Sequence, residues 1–382
     1  MVLCYFDPTM STAFSPPFTR SDLCVECCSY FIYDGLEVDG QGNIKQRTGT
    51  GPAPVDTVQD WLELKRATDL KVLCGLRFQA PPSGGAADLR VAHITQTLHT
   101  SYAEWDGAAF IWTTVDAQKE IALYRAVRKE FGDAAFKIIA HISPTVIYAY
   151  NFTAMRIYTD VIVVETHNFA VHGRAYPPCM YESGGFMDVS SKNLVRTMCY
   201  VECTHNFAVH GRAYPPCMYE SGGFMDVSSK NLPLLMAVGC ARRQVDVLNE
   251  ILGPMPHLVG KLVPTVSTVG KKYVFADAAK VEVGDLVDLS VPPQNVPLAT
   301  ICQEKAAWTF KLENKTKCYS AFNNKKEWIG FESPTSVVLK TELVKKKKLL
   351  GIAVLNIEQD DRSACTEDSW PYLLGAVQQA LR

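Results

Sequence analysis

Two side chains near the middle of the chain have the types and the spacing that acid–base chemistry uses. Glu165 and His167 lie two residues apart in an apolar segment, so in a strand both point to the same side. A carboxylate beside an imidazole can act as a base and as the group that orients it, and Glu358 from a later segment is a candidate third member. The alternative is a hydrogen-bonded polar plug that performs no chemistry.

The same histidines offer little to a metal ion. His167 and His172 are interpreted as a strand residue and a loop residue, because no other side chain supplies a convincing third ligand. The sequence therefore predicts no metal site, and it gives no sign of a cofactor.

The elements that must position these side chains follow a βαβα pattern. Residues 105–115 are almost continuously apolar, too short for a full helix and flanked by amphipathic helical patterns, which indicates a strand buried on both faces. Strands are predicted at residues 2–6, 28–36, 70–78, 105–115, 135–142, 160–168, 261–269 and 350–357. Helices are predicted at residues 56–68, 88–104, 117–131, 237–252, 334–346 and 370–381.

Eight strands with intervening helices predict an α/β fold, the (β/α)8 TIM barrel, with its chemistry at the carboxyl ends of the strands. Residues 1–269 and 333–382 form the predicted barrel. The mixed, strand-rich segment 270–332 is an insertion after the seventh strand.

Composition excludes several classes of partner. The 382 residues carry a net charge of -2, which gives no reason to expect binding to nucleic acid or to an anionic membrane. The hydrophobic fraction is 47%, and no run of 18 apolar residues predicts a membrane span. The lysine run 345–348 ends a predicted helix, where cations complement the helix dipole; a patch for anionic glycans is the alternative.

One repeat does not fit the barrel pattern. Residues 166–194 recur without a change at 204–232. A closed barrel of eight strands has no opening for a ninth, so we expect one copy to lie outside the barrel as a long surface excursion. Two perfect copies do not make a solenoid, and we interpret the second as a recent exon duplication or a gene-model artefact.

With the strands placed, six segments resemble one known family. They are residues 2–6, 28–33, 70–73, 165–169, 328–331 and 351–361. Their order and spacing are similar to those of glycoside hydrolase family 18, the chitinases and chitinase-like lectins, across essentially the whole chain. The resemblance implies that the insertion 270–332 is of α+β type.

The family's catalytic motif is degenerate here. Active members end the fourth strand with Asp-x-x-Asp-x-Asp-x-Glu, in which the glutamate protonates the glycosidic oxygen. The four positions here are Asp106, Ala109, Ile111 and Thr113. A threonine hydroxyl is far too weak an acid for that step, and general acid catalysis is worth about 10² to 10⁴ in rate. The resemblance therefore predicts a protein that is not an enzyme.

Other family positions are also changed. The Met-x-Tyr-Asp motif of the sixth strand appears as Glu165-Thr-His167-Asn168, and Gly-Gly-Trp after the third strand appears as Arg77-Phe78-Gln79. The resemblance implies that Leu355 occupies the position at which the family has a tryptophan that stacks beneath the central sugar. Without that ring, we expect weak glycan binding. The candidate ligand contacts are Tyr5, Tyr33, Asp106, Glu165, His167, Asn168 and Glu358.

The cysteines and the N-glycosylation sequons indicate the cellular compartment in which the protein is expected. The resemblance implies disulfides Cys4–Cys28 and Cys302–Cys365, which need an oxidising environment; reduced core cysteines are the alternative. Two sequons, at Asn151 and Asn314, permit secretion and glycosylation. The chain opens directly on a strand without a signal peptide, so we expect a secreted protein whose N-terminus is incomplete.

Three functional hypotheses follow. The first is a non-catalytic, secreted chitinase-like factor that binds chitooligosaccharide or another glycan weakly, or a protein receptor. The second is a divergent glycoside hydrolase that uses Glu165, His167 or Glu358. The third is a growth-factor-like or inhibitor module that binds protein and no glycan.

Overall fold

The protein is described from a computed structural model. It describes residues 1–10, 18–47, 56–78, 87–112, 116–132, 136–143, 149–166, 244–277, 287–288, 290–313, 318–323, 325–361 and 372–382. The two copies of the repeat lie outside the described residues, apart from Thr166. The predictions about the repeat therefore stay predictions.

Eight parallel strands close into a barrel. They are β1 (Val2–Phe6), β2 (Tyr30–Val38), β4 (Val72–Phe78), β5 (Gly107–Trp112), β6 (Lys137–Ile142), β7 (Val161–Val164), β8 (Leu262–Ser267) and β14 (Ile352–Leu355). Each pairs in parallel with the next in that order, and β14 pairs with β1 to close the ring. A short strand β3 (Ile44–Gln46) adds to β2 in the antiparallel sense. The predicted TIM barrel is confirmed.

Strand alternation divides the core into two layers. Every second side chain points into the barrel, where an aliphatic cluster includes Leu3, Ile32, Leu73, Ile139 and Val163. The side chains between them point outward and pack under the helices. This alternation decides which residues near the ends of the strands can line the mouth.

The helices surround the strands. They are α1 (Val58–Ala67), α2 (Ala87–Ser101), α3 (Ala117–Phe131), α4 (Phe152–Tyr158), α5 (Gln244–Leu252), α7 (Pro334–Lys347) and α8 (Tyr372–Leu381). Side-chain caps begin several of them, as at α1, where Thr57 and Asp60 form a capping box. Asp116 caps α3 as its sequence position predicts, since its side chain accepts a hydrogen bond from the Lys119 N–H.

An antiparallel sheet follows β8. Its strands are β9 (Val269–Val274), β10 (Gln294–Pro297), β11 (Thr309–Glu313), β12 (Cys318–Phe322) and β13 (Glu327–Phe331), and α6 (Leu298–Gln303) lies between β10 and β11. Trp328 packs between Tyr273 and Phe275 in the core of this sheet. The insertion after the seventh barrel strand therefore has its own strands and a small aromatic core.

Two elements of the structure differ from the sequence prediction. The second barrel strand runs to Val38, two residues past its predicted end, because β3 extends the pairing of its last residues. Helix α4 was not predicted; Asn151 begins it by accepting a hydrogen bond from the Ala154 N–H. Seven residues are too few to display a clear amphipathic period.

The disulfide prediction is confirmed where the structure describes both partners. A disulfide between Cys4 and Cys28 joins β1 to the segment before β2. Cys302 is also disulfide-bonded, while its predicted partner Cys365 lies outside the described residues. A further bond, Cys24–Cys27, was not predicted. Disulfides of this kind are typical of oxidising compartments.

Candidate functional site

The carboxyl end of the barrel carries a layer of polar side chains above the aliphatic interior. Tyr5, Asp34, Arg77, His141 and Glu165 follow the alternation that points side chains into the barrel. Ala109 and Ile111, two positions of the degenerate motif, belong to the interior apolar cluster, and Ile111 lies in register with Arg77 and His141 on the neighbouring strands. Thr113, the fourth motif position, lies outside the described residues. The site is therefore a polar mouth on an apolar floor.

His141 and Glu165 form the closest acid–base pair of this layer. The Nε2 atom of His141 lies 3.1 Å from Oε1 of Glu165. His141 stands near the end of β6 and is buried, whereas the side chain of Glu165 follows β7 and is 29% exposed. His141 is therefore the buried member of the pair, and Glu165 is the member that is partly exposed at the mouth. Sequence analysis assigned His167 to this role, but His167 and Asn168 lie outside the described residues.

Tyr5 borders the pair. Its ring meets the ring of His141 edge-on, with 5.4 Å between centroids. Burial raises the pKa of the Tyr5 phenol well above its usual value, and the charge of Asp34 raises it further. The Tyr5 hydroxyl and Nδ1 of His141 are buried and make no hydrogen bond within the described part of the chain. Both atoms are free to bond to a polar group that enters the barrel.

Asp34 and Arg77 form a second pair at the mouth. Nε of Arg77 donates to Oδ1 of Asp34 at 2.7 Å, and a second guanidinium nitrogen contacts Oδ2. Burial raises the pKa of Asp34, and Arg77 acts against that rise. Arg47 joins the cluster by donating to the Asp34 carbonyl at 2.7 Å and to Asp7 at 3.0 Å.

Glu358 contacts Asp7, a member of this cluster, from a one-turn 3-10 helix after β14. Its carboxylate accepts a hydrogen bond from the Asp7 N–H at 3.0 Å and is fully buried. Burial raises the pKa of Glu358 well above its usual value, and the charge of Asp7 adds to the rise. The Glu358 carboxyl group, by accepting from the Asp7 N–H, positions the loop after β1.

Two predicted ligand contacts are wrong. Tyr33 points outward, packs against Trp61 and Trp105, and donates its hydroxyl to the Asp56 carbonyl. It directly follows the interior-facing Ile32, which places it on the helix side of the sheet. Asp106 precedes β5 at the amino end of the barrel, where it bonds to the Val72 N–H and to Lys65 at 2.7 Å. Neither side chain lines the mouth.

Sequence analysis missed His141, Asp34, Arg47 and Asp7. His141 was detectable, because it ends a predicted strand two residues after the apolar Ile139 and therefore shares its face. Asp34 was detectable in the same way from Ile32. Arg47 and Asp7 lie in loops, and no periodicity places a loop side chain.

The described residues include no group of three or more His, Cys, Asp or Glu side chains arranged to hold a metal ion. No helix among them is long and apolar enough to cross a membrane.

Comparison of the sequence with known proteins gives partial matches to chitinases. A protein of Margaritifera margaritifera named as a chitinase is 30% identical over 82 residues, which cover 22% of this chain and 18% of that protein. Probable chitinase 10 of Drosophila melanogaster is 26% identical over 135 residues, 32% of this chain and 6% of that protein. The matches thus span less than a fifth of either relative. No family model matches the chain.

Comparison of the structure gives matches over the whole chain. The second catalytic domain of the group II chitinase of Ostrinia furnacalis has a TM-score of 0.71 and 18% identity, and all of this chain covers 96% of that one. Human YKL-39, described as a pseudo-chitinase with retained chitooligosaccharide binding properties, has a TM-score of 0.69 and 17% identity over 99% of its chain. At these identities the likeness establishes the fold.

The structure has the (β/α)8 barrel fold that the similar chitinase structures share. The resemblance to the chitinases and chitinase-like proteins of glycoside hydrolase family 18 is confirmed. One prediction is overturned: the partial sequence relatives are named as chitinases, and most of the similar structures are of chitinases, so the degenerate motif does not establish that this protein is not an enzyme.

Proposed function

We propose that this protein is a secreted, chitinase-type protein that binds chitooligosaccharides at the carboxyl end of its barrel. The observation that carries the proposal is the polar layer of Tyr5, His141 and Glu165, with two buried polar atoms that have no partner in the described part of the chain. Carbohydrate hydroxyl and acetamido groups can satisfy such atoms, since each buried polar group left unpaired costs about 1–3 kcal/mol.

Two facts about similar proteins support this ligand. The Ostrinia furnacalis domain has been solved with a chitin oligomer, and YKL-39 is described as retaining chitooligosaccharide binding. Secretion is supported by the disulfides, which are typical of extracellular proteins.

The mouth has a leucine at the position where the family has a tryptophan that stacks on the sugar, and this difference lowers the expected affinity for glycans. Leu355, which is almost fully buried, occupies the eighth-strand position where a tryptophan floors the sugar site in the family. Without stacking on that ring, binding depends on hydrogen bonds to Glu165, His141 and Tyr5. We expect a dissociation constant weaker than about 1 μM, which corresponds to -8.2 kcal/mol.

Calorimetric titration of the full chain with the tetramer of N-acetylglucosamine tests the proposal. Saturable binding is expected, and the glucose tetramer, which lacks acetamido groups, should bind at least about tenfold more weakly, a difference of 1.4 kcal/mol. No saturable heat with either sugar would overturn the proposal and favour a protein ligand.

Hydrolysis by Glu165 is a second candidate function, favoured by the 3.1 Å contact with His141. In its carboxylic-acid form, the partly exposed Glu165 can protonate the leaving glycosidic oxygen, and the carboxylate that results can then take a proton from the water that attacks the anomeric carbon. Incubation with the same tetramer, followed by mass spectrometry of the products, tests this candidate. Cleavage that falls by about 10² or more in Glu165→Gln supports it, while cleavage that is absent or unaffected by this variant contradicts it.

A further inference from the structure

A cavity of about 330 Å³ lies at the opposite end of the barrel. Its apolar lining comes from residues within the first three positions of the strands or just before a strand: Leu3, Leu73, Ile139, Val161 and Leu350. The volume falls at the lower end of the range of about 300–1,000 Å³ for small-molecule sites. The cavity is therefore large enough for the apolar part of a small ligand.

Charged side chains border this apolar space. Lys137, Asp160 and Lys261 line the same cavity. The Asp160 carboxylate is shared among several donors, since Arg128 contacts Oδ2 at 2.5 Å, the Ile138 N–H donates to the same oxygen at 2.8 Å, and Lys137 stands 3.6 Å from Oδ1. One carboxylate thus serves more than one cation.

Lys261 lies in a part of the cavity border where positive charges outnumber negative ones. Burial lowers the pKa of its ammonium group, Asp160 raises it, and the neighbouring cations Arg128, Arg156 and Lys137 lower it again. The ammonium group donates to the Arg156 and Thr159 carbonyls, which satisfy its hydrogen bonds but carry no net charge. Lys261 therefore lies close to three other cations and one carboxylate, and a bound anion would reduce the repulsion among the cations.

We propose that the amino end of the barrel binds a small amphiphilic carboxylate. Its hydrocarbon part occupies the cavity between Leu73, Ile139 and Leu350, and its carboxylate meets the ammonium groups of Lys137 and Lys261. Charge complementarity at the border and an aliphatic interior together select this class over a neutral apolar molecule or an inorganic anion. The site is separate from the glycan site, because its lining comes from the opposite ends of the strands.

Titration of the full chain with decanoate, decanol and inorganic sulfate tests the proposal. Decanoate should bind saturably, with decanol and sulfate each at least about tenfold weaker, a loss of 1.4 kcal/mol. Equal affinity for decanol would show an apolar cavity without anion recognition and overturn the proposal. The absence of saturable decanoate binding would also overturn it.

Two variants locate the site. Lys137→Met keeps the apolar stem, removes the charge and should weaken decanoate about tenfold, whereas Lys119→Met, on the surface of α3, should change nothing. Leu73→Trp places a larger side chain in the cavity and should reduce decanoate binding at least as strongly. Wild-type affinity in both Lys137→Met and Leu73→Trp would contradict the assignment.

Discussion

His141 and Glu165 come from neighbouring strands and meet at the mouth, with 3.1 Å between Nε2 and Oε1. The contact exists because β6 and β7 are adjacent and parallel, and the interior face of β6 that carries Ile139 also carries His141. The rings of His141 and Tyr5 meet edge-on, and Nδ1 of His141 and the Tyr5 hydroxyl are both buried with no hydrogen-bond partner in the described residues. This arrangement supports the proposed glycan site at the mouth.

Tyr5→Phe separates a ligand contact from a structural hydrogen bond. The Tyr5 hydroxyl has no partner in the described structure, so we expect its removal to change the free energy of unfolding by less than about 1 kcal/mol. Affinity for the N-acetylglucosamine tetramer should fall about threefold to tenfold, the worth of one neutral hydrogen bond. Urea unfolding and calorimetry measure the two effects.

Tyr124→Phe is the matched control. The Tyr124 hydroxyl accepts a hydrogen bond from Nε1 of Trp112 at 3.2 Å in the outer core. Its loss leaves a buried indole N–H unpaired and should cost about 1–3 kcal/mol of stability without changing glycan affinity. A larger stability loss in Tyr5→Phe than in Tyr124→Phe would contradict the assignment.

Lys340 and Glu332 form a fully buried ion pair beside the barrel, and Ser336 donates to the same carboxylate. Lys340→Met should destabilise the protein by about 3–5 kcal/mol, because it leaves an unpaired buried charge. The double variant with Glu332→Leu should recover much of this loss. Arg66→Ala, which breaks an exposed pair with Glu104, should cost under about 1 kcal/mol. Equal losses in Lys340→Met and Arg66→Ala would refute the prediction.

The two described disulfides should differ in their contribution to stability. Cys4–Cys28 has a sequence separation of 24 and Cys24–Cys27 a separation of 3. In the chain-entropy model the longer loop is worth about 3–4 kcal/mol and the shorter about 2 kcal/mol. Urea unfolding of the double alanine variants at each pair measures the difference. A greater loss on removing Cys24–Cys27 would contradict the loop-length argument.

Glu120 makes stability depend on pH. Burial raises its pKa from 4.5 to about 8, so the folded state favours the protonated form. The cost of ionising it is absent below about pH 4.5, grows as the pH rises, and is complete above about pH 8. Glu120→Gln should therefore stabilise the protein more at pH 8 than at pH 5, by at least about 1.4 kcal/mol, the equivalent of one pKa unit. An equal effect at both pH values would exclude this explanation.

The barrel was predictable because its strands are short apolar runs between amphipathic helices. Residues 105–115 show this most clearly, and Gly107–Trp112 is a fully buried strand. The same reasoning placed Glu165 at a strand end. The alternation of side chains places Tyr33 on the helix side of β2, and Asp106, a candidate taken from the family motif, precedes β5 at the amino end of the barrel.

The hydrogen-bond partners of the charged side chains at the mouth could not be predicted from the sequence. Glu165 and Glu358 were correctly recognised as charged groups near strand ends, yet the first bonds to His141 and the second to the Asp7 N–H. The first contact joins the neighbouring strands β6 and β7 across 24 positions, and the second joins segments 351 positions apart. Pairing of β14 with β1 closes the barrel and brings the second pair together, and no local pattern in the sequence records either contact. The degenerate motif likewise described what Ala109 and Ile111 lack but not the polar layer above them.

Titration of Glu165→Gln with the N-acetylglucosamine tetramer tests the central claim most directly, with Lys137→Met at the opposite end of the barrel as the control. The glutamine keeps the size of the side chain and removes its charge. A charge-assisted hydrogen bond is worth about 1.5–3 kcal/mol, so Glu165→Gln should weaken binding about tenfold or more, while Lys137→Met should bind as the wild type does. Unchanged affinity in Glu165→Gln, or an equal loss in Lys137→Met, would contradict a glycan site at the carboxyl end of the barrel.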